Sequence, residues 1–283
     1  MPSIKTLLEK FNKAKTLPHV AIRLTKLIGD EKSTMKDFEE VIKLDPTLVV
    51  RLLRAVNSPF YGLQQKVESI DRAVVFLGMA NLRNMVVTEA LKDIFKNGAH
   101  ENIFSRRQLW LHSAAVSICC KMIAERVFEQ NGEDAFLCGI LHDIGMIIEV
   151  QVEEDLFLQV CRAFQSGTGP FVKYEREIIG AEHCAIGNLL ALEWGLPVEV
   201  REAVKIHHRM PNKADPQSIS GILQIAEYIV SKMDYTAVPG MKGQLTETLS
   251  EHIRDKLDEY KTLTMDLPEE MKKAKDIYET SEN

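Results

Sequence analysis

Five of the eight histidines lie between residues 112 and 208, each among apolar neighbours typical of a protein core. They are His112 in LWLHSAAV, His142 in GILHDIGM, His183 in AEHCAIG, and His207 and His208 in AVKIHHRM. An acid, Asp143, directly follows His142. An unpaired buried carboxylate is costly, so buried charges are normally paired, hydrogen-bonded or bound to a metal. A lone histidine is most often a satisfied core residue, but five with an acid predict a shared site.

The chemistry that this set predicts is metal binding. Imidazole and carboxylate together are the usual ligands of zinc, iron and manganese, and helices can project them into a bundle interior. Adjacent side chains on a helix point about 100° apart. His142 and Asp143 therefore reach a common centre only if one metal lies at the helix edge or two metals share the site. His207 and His208 repeat the arrangement, so the doublets favour a dinuclear centre with a bridging carboxylate.

Composition restricts the class of protein. The 283 residues are 45% hydrophobic, enough for a sizeable core, and the net charge of -6 gives no general reason to expect binding to nucleic acid or to an anionic membrane. The five cysteines are odd in number and show no C-x-x-C spacing, which indicates buried thiols in a reducing compartment. The N-terminus has no secretory pattern, so we expect a cytoplasmic chain.

Apolar residues recur at intervals of three and four residues along nearly the whole sequence, which predicts an all-α fold. Thr34 or Ser33 with Asp37 predicts a capping box, and Gly195 before Pro197 predicts a helix end. The polar segment 96–105 predicts a boundary between an N-terminal lobe, 1–97, and a second lobe, 98–283. The predicted helices are 18–29, 35–43, 46–56, one ending at Gly78, a longer one after it, 106–129, 133–148, 153–165, 171–193, 198–208, 217–233, and two near 245–262 and 267–279.

The sequence also resembles a known family over roughly residues 15–235. The resemblance rests on LPHVAIRLTKLI, VIKLDPTLVVRLLRAVNSPFYG, SIDRAVVFLGMANLRNMVV, LWLHSAAV, DAFLCGILHDIG, AEHCAIGNLLALEWGLP and AVKIHH. Together these segments are similar to the HDOD family, the HD-related output domain of bacterial signalling proteins. The histidine series resembles the ligands of HD-domain metal-dependent phosphohydrolases. The resemblance implies a multi-helix HD-like bundle with an N-terminal helical lobe.

By the same resemblance, seven residues are expected to ligate metal, with Asp143 as the bridge: His112, His142, Asp143, His183, His207, His208 and Glu227. The expected cofactor is a divalent or transition metal, such as a di-iron pair, with zinc and manganese as alternatives. Some positions depart from the HD-GYP phosphodiesterases. Met146 replaces a lysine, HHRMPNKADP lacks the GYP signature, and Glu227 stands where an aspartate is usual.

Three interpretations follow. The first is a metal-binding signalling protein that acts through contacts with protein partners. The second is a metal-dependent phosphohydrolase or phosphodiesterase acting on a nucleotide or cyclic dinucleotide, which needs a pocket from solvent to the metals and cations for the phosphate of a small ligand. The third is a metal-free helical interaction module. The loop NSPFYG, 57–62, is a hypothetical cover for such a pocket, and the candidate cations are Arg106, Arg107, Arg201 and Arg209.

Overall fold

Helices form the fold throughout the part of the chain that the structure, a computed structural model, describes. That part comprises residues 4–13, 23–24, 27, 32–44, 46–92, 95 and 103–274, and it contains no β-strand. The all-α prediction is confirmed. The predicted helix 18–29 and the predicted boundary at 96–105 lie mostly outside the described residues, and the division into two lobes stays a prediction.

Among the described residues before the predicted boundary, four helices are defined: α1 (Ile4–Lys13), α2 (Met35–Ile42), α3 (Pro46–Val56) and α4 (Ile70–Lys92). The predicted capping box is present, because the Thr34 side chain accepts from the Asp37 backbone N–H and Asp37 accepts from the Thr34 N–H. Gly78 has a φ of 72° and interrupts α4 where the sequence predicted a helix end. Helix α1 packs mainly against helices of the second part of the chain.

Residues 103–274, the described portion of the second part, form ten helices: α5 (Arg106–Arg126), α6 (Glu133–Leu141), α7 (Ile144–Val152), α8 (Glu154–Ser166), α9 (Phe171–Ile178), α10 (His183–Glu193), α11 (Val198–Ile206), α12 (Ile219–Lys232), α13 (Glu247–Asp255) and α14 (Leu257–Lys273). Helix α5 is central, and α6, α12 and α14 pack around it. Most of its residues from Leu109 to Ala124 are buried. The core therefore surrounds the helix that carries His112.

Two predicted helices are broken where functional residues lie. The predicted helix 133–148 divides at His142 and Asp143 into α6 and α7, and the predicted helix 171–193 divides into α9 and α10, with Gly180 at a φ of 86°. The predicted helix 198–208 ends at Ile206, so His207 and His208 lie in a turn. Apolar periodicity continues across each break, which is why spacing alone predicted longer helices.

The C-terminal helices also differ from the prediction. The boundary between the last two helices lies at Lys256 instead of near residue 265, and Pro268 lies inside α14. An interior proline normally ends a helix because it removes a backbone donor. Here the buried face continues past it and packs on α5, through Tyr260, Leu263, Leu267 and Met271. Tertiary packing therefore overrides the local preference.

The segment Glu133–Val152 is long and apolar enough to cross a membrane by length and composition. It is 89% buried inside the protein. The α6–α7 break at His142 and Asp143 interrupts it. Its apolar character is accounted for by its position in the core.

Candidate metal centre

Four imidazole rings converge on the carboxylate of Asp143. His142 Nε2 lies 3.2 Å and His112 Nε2 3.6 Å from Asp143 Oδ2. On the other oxygen, His183 Nε2 lies 3.2 Å and His207 Nε2 3.4 Å from Asp143 Oδ1. Each carboxylate oxygen thus faces its own pair of histidines. The helix break at Asp143 places this side chain between four helices.

The Nδ1 atom of each of these four rings makes a hydrogen bond outside the cluster. Three Nδ1–H groups donate to backbone carbonyls, His112 to Tyr235 at 2.8 Å, His142 to Gly139 at 2.7 Å and His207 to Val204 at 2.7 Å. His183 Nδ1 donates to the carboxylate of Glu175 at 2.7 Å. Carbonyls can only accept, so these bonds fix the proton on Nδ1. All four Nε2 atoms are left to bind a proton or a cation inside the cluster, as in histidine metal sites.

The contacts between Nε2 atoms favour a cation. His112 Nε2 lies 3.3 Å from His142 Nε2, and His183 Nε2 lies 3.2 Å from His207 Nε2. Two lone pairs or two N–H groups facing each other at this distance repel, so each pair of rings needs a shared proton or a shared metal cation. Both oxygens of Asp143 are buried without a hydrogen-bond partner among the described residues. A buried carboxylate that lacks a hydrogen-bond donor and lies beside four ring nitrogens fits a metal site.

Electrostatics concentrate negative charge at the cluster. Burial opposes ionisation of Asp143, but the neighbouring His142 and the other histidines hold the pKa of its carboxyl well below the usual range. Glu227 behaves in the same way, with His112 and His142 overcoming burial to lower its pKa. In turn, burial is outweighed by Asp143 and Glu227, which raise the pKa of His142 well above its ordinary value. The site therefore attracts positive charge.

The side chains around Asp143 form two groups that could each hold an ion. One is His112, His142 and Glu227, and the other is His183, Cys184, His207 and His208. Glu227 Oε1 lies 2.8 Å from His142 Nε2 and 3.0 Å from His112 Nε2, so the longer glutamate does reach the cluster. The structure thus brings all seven predicted residues together. His208 is the most exposed of them, but its Nε2 is buried without a partner.

Three further acidic or thiol groups at the site were missed by sequence reasoning. Glu175 is fully buried and orients His183. Its sequence position did not indicate this role, because Glu175 and His183 lie in different helices, α9 and α10. Glu149 lies beside it, and burial together with the charge of Glu175 raises the pKa of the Glu149 carboxyl well above the usual range. Cys184 follows His183 directly. Burial opposes its ionisation, but His183 and His207 lower the pKa of the thiol to about 6.

Two glycines let the backbones approach closely enough to form the cluster. A Cβ at Gly145 would lie 2.0 Å from the carbonyl oxygen of His183, so α7 begins in direct contact with the start of α10. A Cβ at Gly139 would lie 2.5 Å from the Cα of Ser117, which brings α6 against α5. The Gly139 carbonyl is also the acceptor for His142. The spacing of CGILHDIG therefore serves backbone packing as well as ligation.

A cavity of about 680 Å³ opens onto the cluster at His207, His208 and Glu227. Two arginines, Arg176 and Arg209, also line it, and both pair with the carboxylate of Glu182. Lys242 is a third cation in the lining. The pocket required by the hydrolase interpretation is therefore present, with cationic side chains beside it.

The NSPFYG loop and three of the four candidate arginines do not line this pocket. Among the described lining residues, none belongs to the loop NSPFYG, which lines a separate cavity of about 350 Å³. The Phe60 ring of that loop lies 6.3 Å from the Phe136 ring. The loop is not a cover for the metal cluster, so that hypothesis is wrong. Of the four predicted arginines, Arg209 lines the pocket, whereas Arg106, Arg107 and Arg201 do not.

Comparison with known proteins gives a family-model match to the HDOD domain over residues 14–210. An uncharacterised protein of Treponema pallidum (strain Nichols) is 23% identical over 197 residues, which is 69% of this chain and 38% of that protein. The uncharacterised protein YuxH of Bacillus subtilis (strain 168) is 24% identical over 127 residues, 45% of this chain and 30% of that protein. This chain therefore spans less than half the length of these relatives.

Solved structures share the fold. An HDOD domain protein from Geobacter sulfurreducens superposes with a TM-score of 0.66 at 22% identity, covering 94% of this chain and 97% of that chain. A candidate signal transduction protein from Marinobacter aquaeolei VT8 superposes with a TM-score of 0.71 at 22% identity, covering 93% of this chain and 59% of that chain. A candidate phosphohydrolase from Shewanella amazonensis SB2B superposes with a TM-score of 0.65 at 27% identity, covering 93% of this chain and 97% of that chain.

Proposed function

The chain belongs to the HDOD family, and from its site we propose that it is a bacterial signalling domain that binds two metal ions. The observation that carries the proposal is the convergence of four Nε2 atoms on the two oxygens of Asp143, with every Nδ1 committed elsewhere. Such an arrangement is costly without a cation and is ordinary with one. This favours a metal domain over a metal-free interaction module.

Each ion has its own set of candidate ligands. His112, His142 and Glu227 would hold the first with Asp143 Oδ2, and His183, His207 and His208 would hold the second with Asp143 Oδ1. The hard and borderline donors suit iron, zinc or manganese. Asp143 would bridge the two. Glu175 holds the His183 ring in the orientation that points Nε2 into the site.

Action through protein contacts is supported by the residue after the HDIG glycine. Met146 is fully buried in the core, so this position presents no cation to a phosphate in the pocket. A structurally similar protein is described as a signal transduction protein. Helix α6, which ends directly before His142, is joined to α4 by hydrogen bonds, so a change at the metal site has a physical route to the N-terminal helices.

Titration of the metal-free protein tests the proposal. Calorimetry with zinc, manganese and ferrous iron, the last without oxygen, should show saturable binding of at least one of these ions at two equivalents per chain. Binding of a single equivalent would contradict the shared site. Absence of binding by all three would support the metal-free module instead.

A second candidate function, hydrolysis of a phosphate ester, is favoured by the pocket. His208, Arg176, Arg209 and Lys242 line it, and fixed arginines are suited to holding phosphate oxygens. Glu182 holds both arginines near the cluster. Bound divalent ions would supply an activated water and electrostatic stabilisation of a phosphodiester.

Hydrolysis of bis(p-nitrophenyl) phosphate by the metal-loaded chain tests this candidate. An enzyme should release p-nitrophenol with a rate that falls at least about tenfold in Arg209→Gln, because a fixed phosphate donor is lost. Exposed Lys205, outside the pocket lining, provides the control variant Lys205→Gln, which should retain the rate. No metal-dependent release by the native chain would leave the signalling proposal as the remaining metal function.

A further inference from the structure

The second group of side chains contains a sulfur that the expected ligand set lacks. Cys184 Sγ lies 3.5 Å from His183 Nε2 and 3.9 Å from His207 Nε2. The same two nitrogens lie 3.2 Å from each other, and Asp143 Oδ1 lies 3.2 Å and 3.4 Å from them. Cys184 Sγ and Asp143 Oδ1 therefore both lie beside the same pair of imidazole nitrogens.

These separations match those of ligands on a tetrahedral ion. Zinc bonds of about 2.0–2.1 Å to nitrogen and about 2.3 Å to sulfur place nitrogen ligands about 3.3 Å apart and sulfur about 3.6 Å from nitrogen. The observed distances between nitrogens and from oxygen to nitrogen are 3.2–3.4 Å. The shorter sulfur distance is 3.5 Å. The other sulfur distance, 3.9 Å to His207 Nε2, is close to the value expected on such an ion but longer than it.

We propose that the Cys184 thiolate is a ligand of the second metal ion, which makes the two metal positions chemically different. The inference rests on the proposed metal function and deepens it. Among the described residues, the first group offers only nitrogen and oxygen atoms, whereas the second adds a soft sulfur. Soft thiolate selects zinc, iron and other thiophilic ions over magnesium and manganese. The second position is therefore the selective one.

The ordinary alternative is that Cys184 fills space in the core, as buried cysteines usually do. Four other cysteines fit that description: Cys119, Cys120, Cys138 and Cys161 are buried, and none belongs to a group that could hold a metal. Cys184 differs because its sulfur faces two imidazole nitrogens instead of apolar side chains. The unpartnered, buried Oδ1 of Asp143 points to the same place.

Cobalt substitution tests the inference by spectroscopy. The full chain, stripped of metal and titrated with cobalt(II) without oxygen, should develop a near-ultraviolet thiolate-to-cobalt charge-transfer band. Cys184→Ala and the near-isosteric Cys184→Ser should lose this band while still binding cobalt at the first position. Cys119→Ala is the matched control, because it removes a buried thiol from α5 outside the cluster, and it should retain the band.

The possible outcomes separate the inference from the function on which it rests. Cobalt binding without the charge-transfer band in the native chain, or a band that persists in both Cys184 variants, would overturn cysteine ligation and leave the metal function intact. Absence of cobalt binding would overturn both. With ligation by Cys184, zinc affinity at the second position should fall at least about tenfold in Cys184→Ser, whereas manganese affinity should change less.

Discussion

At the residue scale, the cluster depends on a glycine that ligates nothing. Gly145→Ala would place a methyl group 2.0 Å from the His183 carbonyl oxygen. Alanine is otherwise the better helix former by about 1 kcal/mol, so helix propensity alone predicts a more stable protein. The backbone clash outweighs that gain, and we expect the free energy of unfolding to fall by about 2 kcal/mol in a denaturant titration.

Gly169→Ala is the control for this prediction. A Cβ at Gly169 would meet the flexible side chain of Lys173 at 3.0 Å, which can move aside. Its stability should change by less than about 1 kcal/mol. Equal stability of the native chain and Gly145→Ala would contradict the close approach of α7 to His183.

Orientation of His183 by Glu175 gives a second prediction at this scale. Glu175→Gln keeps an acceptor of the same size but removes the charge that polarises the His183 ring. We expect metal affinity to fall about 10- to 100-fold, measured by competition with a coloured chelator. Glu177→Gln, an exposed neighbour on α9, should retain native affinity. Unchanged affinity in Glu175→Gln would mean that Glu175 does not support a metal ligand.

At the element scale, the ligands occupy ends and breaks of helices instead of one helical face. His142 and Asp143 lie between α6 and α7, His183 begins α10, and His207 follows α11. The sequence predicted most helices because their apolar spacing is regular. It could not predict these breaks, since the residues on both sides are equally apolar and close approaches such as that of Gly145 to His183 are long-range contacts.

The connection between α4 and α6 is a prediction of element packing. The buried Asn84 amide donates to the Glu133 carbonyl at 2.7 Å and to the Glu133 carboxylate at 2.8 Å. Asn84→Ala leaves both acceptors short of a donor, so thermal unfolding should report a loss of about 1–3 kcal/mol. Asn81→Ala, which loses only a bond to Leu77 within α4, should cost less. A smaller loss of stability for Asn84→Ala than for Asn81→Ala would exclude a stabilising connection between α4 and α6 through Asn84.

At the scale of the whole molecule, metal and folding should be coupled, because the cluster joins α5, α6, α10, α11 and α12. At a metal concentration 100 times the Kd, binding at one site stabilises the fold by about 2.7 kcal/mol. For a chain of this size we expect the Tm to rise by about 5–10 °C on adding metal to chelator-treated protein. Scanning calorimetry measures this shift.

Histidine variants supply the comparison for the Tm shift. His142→Asn should lose most of the metal-dependent rise. His252→Asn should retain it, since His252 lies outside the cluster, stacked on Phe128 and bonded to the Tyr260 hydroxyl. A Tm that does not respond to metal in the native protein would contradict the coupling.

Residue types predicted the fold class and six of the clustered residues, because buried histidines and an acid in a helical chain have few explanations, whereas Glu227 was predicted only from the family resemblance. Spacing could not reveal Glu175 or Cys184 as members of the site, since their positions depend on how α9 and α10 meet. Nor could it place the NSPFYG loop, whose Phe60 packs near Phe136 instead of over the pocket. Long-range contacts of this kind are set by tertiary packing.

The most direct test of the shared centre is the metal content per chain of protein purified without oxygen and without a histidine tag, compared with Asp143→Ala. Elemental analysis should find about two ions in the native chain and neither in the variant, because each oxygen of Asp143 faces one histidine pair. Two ions retained by Asp143→Ala, or none bound by the native chain after incubation with ferrous iron, manganese and zinc, would contradict a dinuclear centre built on Asp143.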